Sequence, residues 1–370
     1  MNNEDSIEQS APDSHPATRV LKGRGAAIEP PPRYLDCARE AFDDGWGTED
    51  EAPPKLDTVV SAERARSLIS RNESPDVPFS QSVNPYRGCE HGCVYCYART
   101  THAWLDLSPG LDFESRLFAK TNAAEVLRRE LAAPGYRCAP LAIGVSTDAY
   151  QPVERALGIT RELLALMVET RHPCTLITKG ALIERDLDLL GELAALNLVE
   201  VYITLTTLDH TLARRLEPRA TAPRRRLETV RRLSAAGIPV GVMFAPVIAG
   251  LNDQELETVI ESGASCGAES ASWVLLRLPQ EINPMFQAWL AAHYPLKAGK
   301  VMSLMRAQRG GKEYDSDFSQ RMRGTGPVAA LLAGRFDRVC RSTGLNRTRR
   351  ILDCALFRPP ARNQAQLTLF

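Results

Sequence analysis

The sequence predicts an α/β fold built around a parallel sheet. From about residue 80, short runs rich in β-branched residues alternate with amphipathic stretches of helical period. Six strand–helix units follow one another, which is typical of parallel strands joined by crossover helices. Gly237, directly before the run that starts at Ile238, has the position of a helix-ending glycine in one of these units. Periodicity alone leaves open whether the sheet is doubly wound or forms a partial barrel.

The predicted elements follow an acidic, proline-rich segment. Residues 1–55 lack sustained periodicity, so we expect a disordered or loosely packed segment there, and a short helix around residues 61–70. The six strands are predicted at residues 81–86, 141–147, 174–178, 199–206, 238–245 and 272–278. The helices between them are predicted at residues 123–133, 157–170, 183–196, 223–236 and 253–266. A core domain (56–290) is therefore followed by a helical extension (291–357) and a flexible tail (358–370).

The composition is that of a soluble protein, with 44% hydrophobic and 24% charged residues among 370. No apolar run reaches the roughly 18 residues of a membrane span, and the polar N-terminus lacks the apolar region of a secretory signal. Nine cysteines, an odd number, are mostly scattered singly. This pattern argues against a disulfide framework and predicts a reducing, cytoplasmic location.

Three cysteines cluster directly after the first predicted strand, in the string NPYRGCEHGCVYCYAR. Cys89, Cys93 and Cys96 have the spacing C-x3-C-x2-C, and the glycines Gly88 and Gly92 permit a tight loop. Three thiolates hold three irons of a [4Fe–4S] cluster and leave the fourth iron open. An open iron can chelate the amino and carboxylate groups of S-adenosylmethionine, so this spacing predicts a cluster that cleaves that molecule.

Two other metal sites compete with this interpretation. A Cys3His zinc site would add His91 to the three cysteines, but His91 lies only two residues from Cys89 and from Cys93, and that loop would be strained. A ferredoxin-type cluster requires a fourth cysteine nearby with a following proline, and the string has none. The spacing, the glycines and the position after a strand favour the open cluster.

The cysteine spacing, with Tyr95 before the last cysteine, resembles the radical SAM superfamily, and the longer string is similar to the branch related to spore photoproduct lyase. The resemblance covers roughly residues 57–290. It implies a partial (β/α)6 barrel of the TIM type and a [4Fe–4S] cluster on Cys89, Cys93 and Cys96. It also implies reductive cleavage of S-adenosylmethionine to a 5′-deoxyadenosyl radical, an electron donor such as flavodoxin or ferredoxin, and lyase-type repair of a DNA lesion.

Polar residues near the predicted strand ends are candidates for contacts to S-adenosylmethionine. The family often has Gly-Gly-Glu after the second strand, and this sequence departs from that pattern, so three of the candidates are carried over by position only. The six candidates are Ser146, Asp148, Glu154, Lys179, Thr206 and Arg219. Lys179 and Arg219 are the two candidates for the cofactor carboxylate. The competing interpretations are an ordinary helix-entry loop for residues 146–154 and a surface lysine for Lys179.

Two residues are candidates for a hydrogen-atom relay. Spore photoproduct lyase uses a cysteine downstream of its cluster, and Cys138 stands at a similar separation from Cys96. Tyr97, directly after Cys96, is the second candidate. A plain buried cysteine is the competing interpretation of Cys138.

Basic residues and the C-terminus predict nucleic-acid partners. Residues 1–60 carry 13 Asp+Glu against 6 Lys+Arg, whereas residues 321–370 carry 10 Arg against 2 Asp. Two dense arginine stretches contain Arg214, Arg215, Arg219, Arg224, Arg225, Arg226, Arg231 and Arg232, and then Arg335, Arg338, Arg341, Arg347, Arg349 and Arg350. They predict contacts to a DNA backbone, or else they are solvated helix faces.

The last five residues, from Gln366 to Phe370, are similar to the pentapeptide with which bacterial repair proteins bind the sliding clamp. The competing interpretation is a tail that packs back on its own domain. For the whole chain, two other functions remain open: a radical SAM enzyme acting on a protein, RNA or metabolite, and a non-catalytic, metal-stabilised adaptor for DNA or the clamp.

Overall fold

A computed structural model describes residues 20–34 and 56–361 of the chain. The strands are β1 (Val59–Glu63), β2 (Ile69–Arg71), β3 (Gln81–Val83), β4 (Tyr86–Arg87), β5 (Arg116–Lys120), β6 (Leu141–Ile143), β7 (Cys174–Thr178), β8 (Val199–Thr204), β9 (Val240–Val247) and β10 (Ser270–Leu275). The α-helices are α1 (Asp112–Ser115), α2 (Ala123–Leu131), α3 (Glu154–Leu157), α4 (Ile159–Thr170), α5 (Leu187–Ala195), α6 (His210–Leu216), α7 (Pro223–Ala235), α8 (Leu256–Ser265), α9 (Ile282–His293), α10 (Pro295–Ala307) and α11 (Gly326–Thr343). Short 3-10 helices span Tyr97–Leu105, Ala181–Asp186 and Asp253–Glu255.

The main sheet has seven strands in the order β10-β9-β8-β7-β6-β3-β2. Its six parallel strands, β3 and β6 to β10, correspond to the six predicted strands and lie in chain order, with β2 antiparallel at the edge. Because each parallel strand lies beside its neighbour in sequence, every crossover advances in the same direction and the helices cover one face. A doubly wound sheet would reverse its order. The partial (β/α)6 barrel is therefore confirmed.

The two faces of the barrel strands differ in burial. Residues that face the helices, such as Leu176, Val201 and Val242, are almost fully buried. A side chain at Gly263 of α8 would approach Val242 to 2.7 Å, so helix and sheet are in close contact there. The alternate residues of β7, β8 and β10 are half-buried, except Thr204 at the carboxyl end of β8, which is buried. The inner face of these strands therefore lines a lumen that is partly open to solvent.

The prediction of a short helix around residues 61–70 is wrong. These residues form β1 and β2, and β1 pairs in parallel with β5, a strand that the sequence pattern did not predict. Together with β4 they form a small second sheet in the order β1-β5-β4. The partner strand is remote in sequence, and such pairing overrides weak local propensity.

Residues 20–34 belong to the segment that the sequence predicted to be loose, but the structure packs part of them against the rest of the chain. Arg24, Ala26 and Ile28 are buried. The Arg24 guanidinium donates to the carbonyl oxygen of Glu114 at 2.8 Å and to that of Leu56 at 2.6 Å. Residues 1–19 and 35–55 lie outside the described residues.

The segment after α11 crosses the amino ends of the barrel strands. The Asn346 amide donates to the carbonyl of Ala271 at 2.9 Å, and the backbone amide of Asp353 donates to the carbonyl of Asn197 at 3.1 Å. These contacts close the end of the barrel opposite the strand carboxyl ends. Within the two described ranges, no helix is long and apolar enough to cross a membrane.

Candidate active site

The cysteine loop lies beyond the carboxyl end of β3 and is held by backbone hydrogen bonds. The Cys89 amide donates to the carbonyl of Phe113 at 2.9 Å, and the Val94 amide donates to that of Leu216 at 3.1 Å. Gly88 has φ +76°, and a side chain there would come within 2.7 Å of Leu117. The loop therefore requires glycine at this position, as the sequence predicted.

The three cysteine thiols lie near enough to one another in this loop to interact electrostatically. Cys89 and Cys93 are buried and Cys96 is half-buried. Burial raises the pKa of the Cys93 thiol to about 12, although the charge of Lys179 opposes this shift. Burial, Asp148 and the other two thiols all raise the pKa of the Cys89 thiol. Iron would have to displace these protons, as thiolate ligation requires. Three grouped thiols, with no fourth cysteine of the described residues in the same loop, fit a [4Fe–4S] cluster that has one open iron.

A single-ion site fits this loop less well. The Nδ1 atom of His91 lies 3.2 Å from Oδ2 of Asp148, so the ring faces a carboxylate. In the part of the chain that the structure describes, no three Cys, His, Asp or Glu side chains are placed to hold a metal ion. In a cubane each thiolate binds a different iron, so the three sulfurs need not converge on one ion.

A fully buried ion pair, Arg99–Glu114, is hydrogen-bonded to the backbone of the cysteine loop. The Arg99 guanidinium donates from Nε to the Cys93 carbonyl at 2.8 Å and pairs through Nη2 with Glu114, and both side chains are 0% exposed. Glu114 also accepts from the amides of Gly25 (2.9 Å) and Ala26 (2.9 Å). The N-terminal segment is thereby fixed against the loop.

The close packing of this segment depends on Gly25. A side chain there would approach the carbonyl oxygen of Gly92 to 1.8 Å. No residue other than glycine fits between the segment and the loop.

Asp148 and Lys179 lie together at the carboxyl ends of β6 and β7. Asp148 accepts from the Thr178 hydroxyl at 2.6 Å and from the Lys179 amide at 2.8 Å. Burial alone would raise the pKa of Asp148, but His91 and these hydrogen bonds outweigh it and lower the pKa below the ordinary range. The Asp148 backbone also faces the Cys89 sulfur, so the carboxylate fixes the loop next to the cluster.

The Lys179 ammonium group points into the lumen beside the cysteine loop. Its Nζ atom lies 5.8 Å from the centre of the Tyr95 ring. Among the described side chains, none forms a hydrogen bond or ion pair with Nζ. Burial alone would lower the pKa of Lys179. The nearby Cys93 and Glu217 raise this pKa by more than burial lowers it, so the pKa of Lys179 is above its ordinary value. An unpaired, protonated amine here is suited to a ligand carboxylate.

Thr206 lies near the same end of the barrel but already has partners. Its hydroxyl contacts Glu217 and donates to the Ala245 carbonyl at 3.1 Å. Glu217 pairs with buried Arg226 and accepts from the Tyr95 hydroxyl. Burial would raise the pKa of Glu217, but Arg226 and Lys179 outweigh it and lower the pKa to about 2. This ionic network connects the cysteine loop to the carboxyl end of β8.

The remaining cofactor candidates are distributed around the site. Ser146 is half-buried at the mouth, and its amide donates to Asn84 at 2.8 Å. Arg219 forms an ion pair with Glu90 of the cysteine loop at 3.1 Å. Glu154 is fully buried, pairs with Arg185 at 2.7 Å and accepts from the Tyr86 hydroxyl, so the structure does not bring it together with the others.

The two hydrogen-atom candidates lie at opposite ends of the barrel. Tyr97 is 44% exposed at the mouth, and its hydroxyl donates to the Val145 carbonyl. Cys138 precedes β6 at the amino end of the barrel, where its Sγ atom lies 3.7 Å from Nε2 of His172. The structure therefore does not bring Cys138 together with the cysteine loop, and its role as a hydrogen-atom donor stays a prediction.

The first arginine stretch is largely neutralised. Arg225 and Arg232 pair with Glu184, Arg226 with Glu217, and Arg231 with Glu228. In the second stretch, Arg335 pairs with Glu257 and Arg350 with Glu269. Both α7 and α11 belong to the outer helical layer. These contacts favour the interpretation of solvated helix faces for the paired arginines.

Several residues of the site were not predicted. Two buried ion pairs are among them. Arg99 pairs with Glu114, 15 residues away, and Arg226 pairs with Glu217, 9 residues away. Arg277 lies over the Tyr97 ring with its guanidinium carbon 5.4 Å from the centroid. No local spacing rule marks any of them; their role appears only when the strand ends are brought together.

The fold and the cysteine loop define an enzyme that holds a metal cluster at the mouth of a partial TIM barrel. Residues 83–262 match the family model of the radical SAM superfamily. An uncharacterized protein of Mycobacterium tuberculosis (strain H37Rv) is 36% identical over 232 residues, which cover 62% of this chain and 68% of the relative. The chain therefore belongs to the radical SAM superfamily, whose members use a [4Fe–4S] cluster and S-adenosylmethionine.

More distant similarities agree with this assignment. An uncharacterized protein of Methanocaldococcus jannaschii is 26% identical over 192 residues, covering 52% of this chain and 69% of the relative. Solved structures of spore photoproduct lyase variants match the fold. One has a TM-score of 0.53 at 14% identity, and another, with bound AdoMet and dinucleoside spore photoproduct, has 0.52 at 13%. Each covers 77% of this chain and 79% of the lyase.

Proposed function

We propose that this radical SAM enzyme holds its cluster with Cys89, Cys93 and Cys96 and acts on damaged DNA in the manner of a photoproduct lyase. The observation that carries the proposal is the group of three cysteine thiols beside an unpaired lysine at the mouth of an accessible lumen. The similarity in fold to spore photoproduct lyase and the positive charges at the mouth support a DNA substrate. A reducing cytoplasm suits such a cluster.

When bound, the cluster supplies the electron that splits S-adenosylmethionine into methionine and a 5′-deoxyadenosyl radical. Lys179 holds the cofactor carboxylate, and Ser146 lies where a ribose would be contacted. Asp148 and Thr206 act as positioning residues, because their side chains already bind the protein. Tyr97 is the candidate for hydrogen-atom transfer, since it follows Cys96 and is exposed at the mouth. The electron comes from a small carrier such as flavodoxin or ferredoxin.

The test is anaerobic reconstitution with iron, sulfide and dithionite, followed by assay of 5′-deoxyadenosine with and without irradiated DNA. We expect irradiated DNA to stimulate its formation and unirradiated DNA not to. Deuterium transferred from labelled cofactor to a protein, RNA or metabolite instead would refute the DNA substrate. Zinc without iron and sulfide in anaerobically purified protein would support a metal-stabilised adaptor and end the enzymatic proposal.

Replacement of Lys179 tests the cofactor contact. We expect Lys179→Met to weaken S-adenosylmethionine binding by about tenfold or more, because a charge-assisted hydrogen bond to the carboxylate is lost. Binding is measured by equilibrium dialysis of the reconstituted protein. Lys300→Met on α10 is the matched control and should bind normally. Normal binding by Lys179→Met would show that another residue holds the carboxylate.

The tail from Gln366 to Phe370 lies outside the described residues, and we propose that it binds the sliding clamp. The apolar side chains of Leu369 and Phe370, together with Gln366, suit a small hydrophobic pocket with a hydrogen-bonding rim. Deletion of residues 366–370 should abolish retention on an immobilised clamp and leave cofactor cleavage intact. Replacement of Leu369 and Phe370 by alanine should have the same effect. Unchanged retention of both variants would refute the clamp proposal.

A further inference from the structure

A group of arginines lines one side of the barrel mouth, apart from the two arginine stretches described above. Arg277 follows β10 and packs over the ring of Tyr97, the residue after Cys96. Arg309 and Arg321 belong to the segment between α10 and α11. Arg309 donates from Nη2 to the Leu276 carbonyl at 2.5 Å and contacts the Arg321 carbonyl at 3.4 Å. The three arginines therefore lie together next to the cysteine loop.

The guanidinium group of Arg277 is poorly satisfied. Its Nε atom is buried and has no hydrogen-bond partner. Its Nη1 atom reaches only the sulfur of Met322, at 3.4 Å. Within residues 20–34 and 56–361, no carboxylate forms an ion pair with Arg277. A half-buried cation in this condition retains most of its hydrogen-bonding capacity for a ligand.

Arg309 adds a second, deeper positive charge. It is 3% exposed, and its Nε atom is likewise buried without a partner. Burial, and next the charge of Arg277, lower the pKa of Arg309, whereas Asp315 and Tyr314 raise it only in part. Arg321 is neutralised by Asp76, with Nε 2.5 Å from Oδ2. Among the described residues, Asp76 and Asp315 are the carboxylates that interact with the three arginines, so the group carries a net positive charge.

Two neighbouring guanidinium groups with unused N–H donors are costly to bury unless an anion joins them. Arginine forks match the paired oxygens of a phosphate. We infer that Arg277, backed by Arg309, binds a backbone phosphate of the DNA strand and thereby holds the lesion at the mouth beside Tyr97. This inference rests on the proposed function. The cofactor carboxylate is the other oxyanion of suitable chemistry, and Lys179, beside Tyr95, is already placed for it.

The test compares Arg277→Gln with Arg323→Gln on the reconstituted, anaerobic holoenzyme. Arg323 is the matched control, because it also lies over an aromatic ring: its guanidinium carbon is 4.4 Å from the Trp273 centroid. The Trp273 ring, however, packs against Phe336 of the outer layer and not beside the cysteine loop. The probe is a fluorescein-labelled single-stranded oligothymidylate, whose binding is followed by anisotropy at several salt concentrations. Iron content and thermal unfolding establish that each variant is folded.

We expect Arg277→Gln to weaken oligonucleotide binding by about tenfold, since one charge-assisted phosphate contact is lost. The slope of log K against log salt should fall by about 0.7, the value for one phosphate contact to a single strand. Arg277→Lys should keep the salt slope while it loses part of the affinity. The affinity for S-adenosylmethionine should be unchanged in all three variants, and Arg323→Gln should bind the oligonucleotide normally.

The outcomes separate this inference from the proposed function. Weaker cofactor binding by Arg277→Gln with normal oligonucleotide binding would assign the site to the cofactor carboxylate and overturn the inference. Equal oligonucleotide binding by Arg277→Gln and wild type would also overturn the inference. If irradiated DNA still stimulated 5′-deoxyadenosine formation in that case, the proposed function would stand. Wild-type enzyme that binds DNA through Arg277 but ignores irradiated DNA would refute the lyase-like function and leave the phosphate site in place.

Discussion

Cys93→Ala is expected to lose both the iron–sulfur cluster and all cleavage of S-adenosylmethionine. Each thiolate binds a separate iron, so a cube with two protein ligands and two open irons is not retained. Cys93 lies in the middle of the loop, buried between Cys89 and Cys96, and no described cysteine outside the loop lies nearby to replace it. Iron and sulfide analysis and the 5′-deoxyadenosine assay measure the two losses separately.

The control for this variant is Cys266→Ala. Cys266 is also buried, but it ends α8 in the outer layer, where it contacts Arg231. Its replacement should leave iron, sulfide and 5′-deoxyadenosine at wild-type levels. A full iron and sulfide content in Cys93→Ala, with cleavage retained, would contradict the assignment of this ligand.

Arg99→Met is expected to lower the free energy of unfolding by about 3–5 kcal/mol, because it leaves the Glu114 carboxylate buried without its counter-charge. The same guanidinium holds the carbonyls of Cys93, Pro109 and Gly110, so the loop should also lose its fixed shape. We therefore expect a reduced yield of cluster on reconstitution. Urea unfolding followed by tryptophan fluorescence measures the change in stability.

A second variant separates the lost ion pair from the lost loop contacts. Arg99→Met combined with Glu114→Gln should recover much of the stability, because the substituted side chain is neutral and its amide oxygen can still accept from the amides of Gly25 and Ala26. Arg128→Met is the surface control. Arg128 and Glu169 form an exposed pair, and its loss should cost no more than about 1 kcal/mol. A loss of similar size in Arg99→Met and Arg128→Met would contradict the role given to the buried pair.

Long-range pairing explains where sequence reasoning failed. The segment that forms β1 was predicted as helix because its local pattern is ambiguous, and its strand conformation depends on β5, more than fifty residues away. Residues 24–28 were predicted to be loose because they belong to an acidic, proline-rich segment without periodicity, yet Glu114 and the carbonyl of Gly92 fix them against the cysteine loop. In both cases the deciding partner is remote in sequence.

The sequence by itself determined the family chemistry and the order of the barrel strands. The spacing of Cys89, Cys93 and Cys96 is a local property, since one short loop presents all three thiols, and the strand–helix alternation is a periodic one. Only the tertiary structure decided which charges are free. It paired most of the arginines on α7 with carboxylates, placed Cys138 before β6 at the amino end of the barrel and left Lys179 and Arg277 at the mouth without an ion pair among the described residues. Whether a charge is paired depends on groups that folding brings from distant strands, and no local pattern records them.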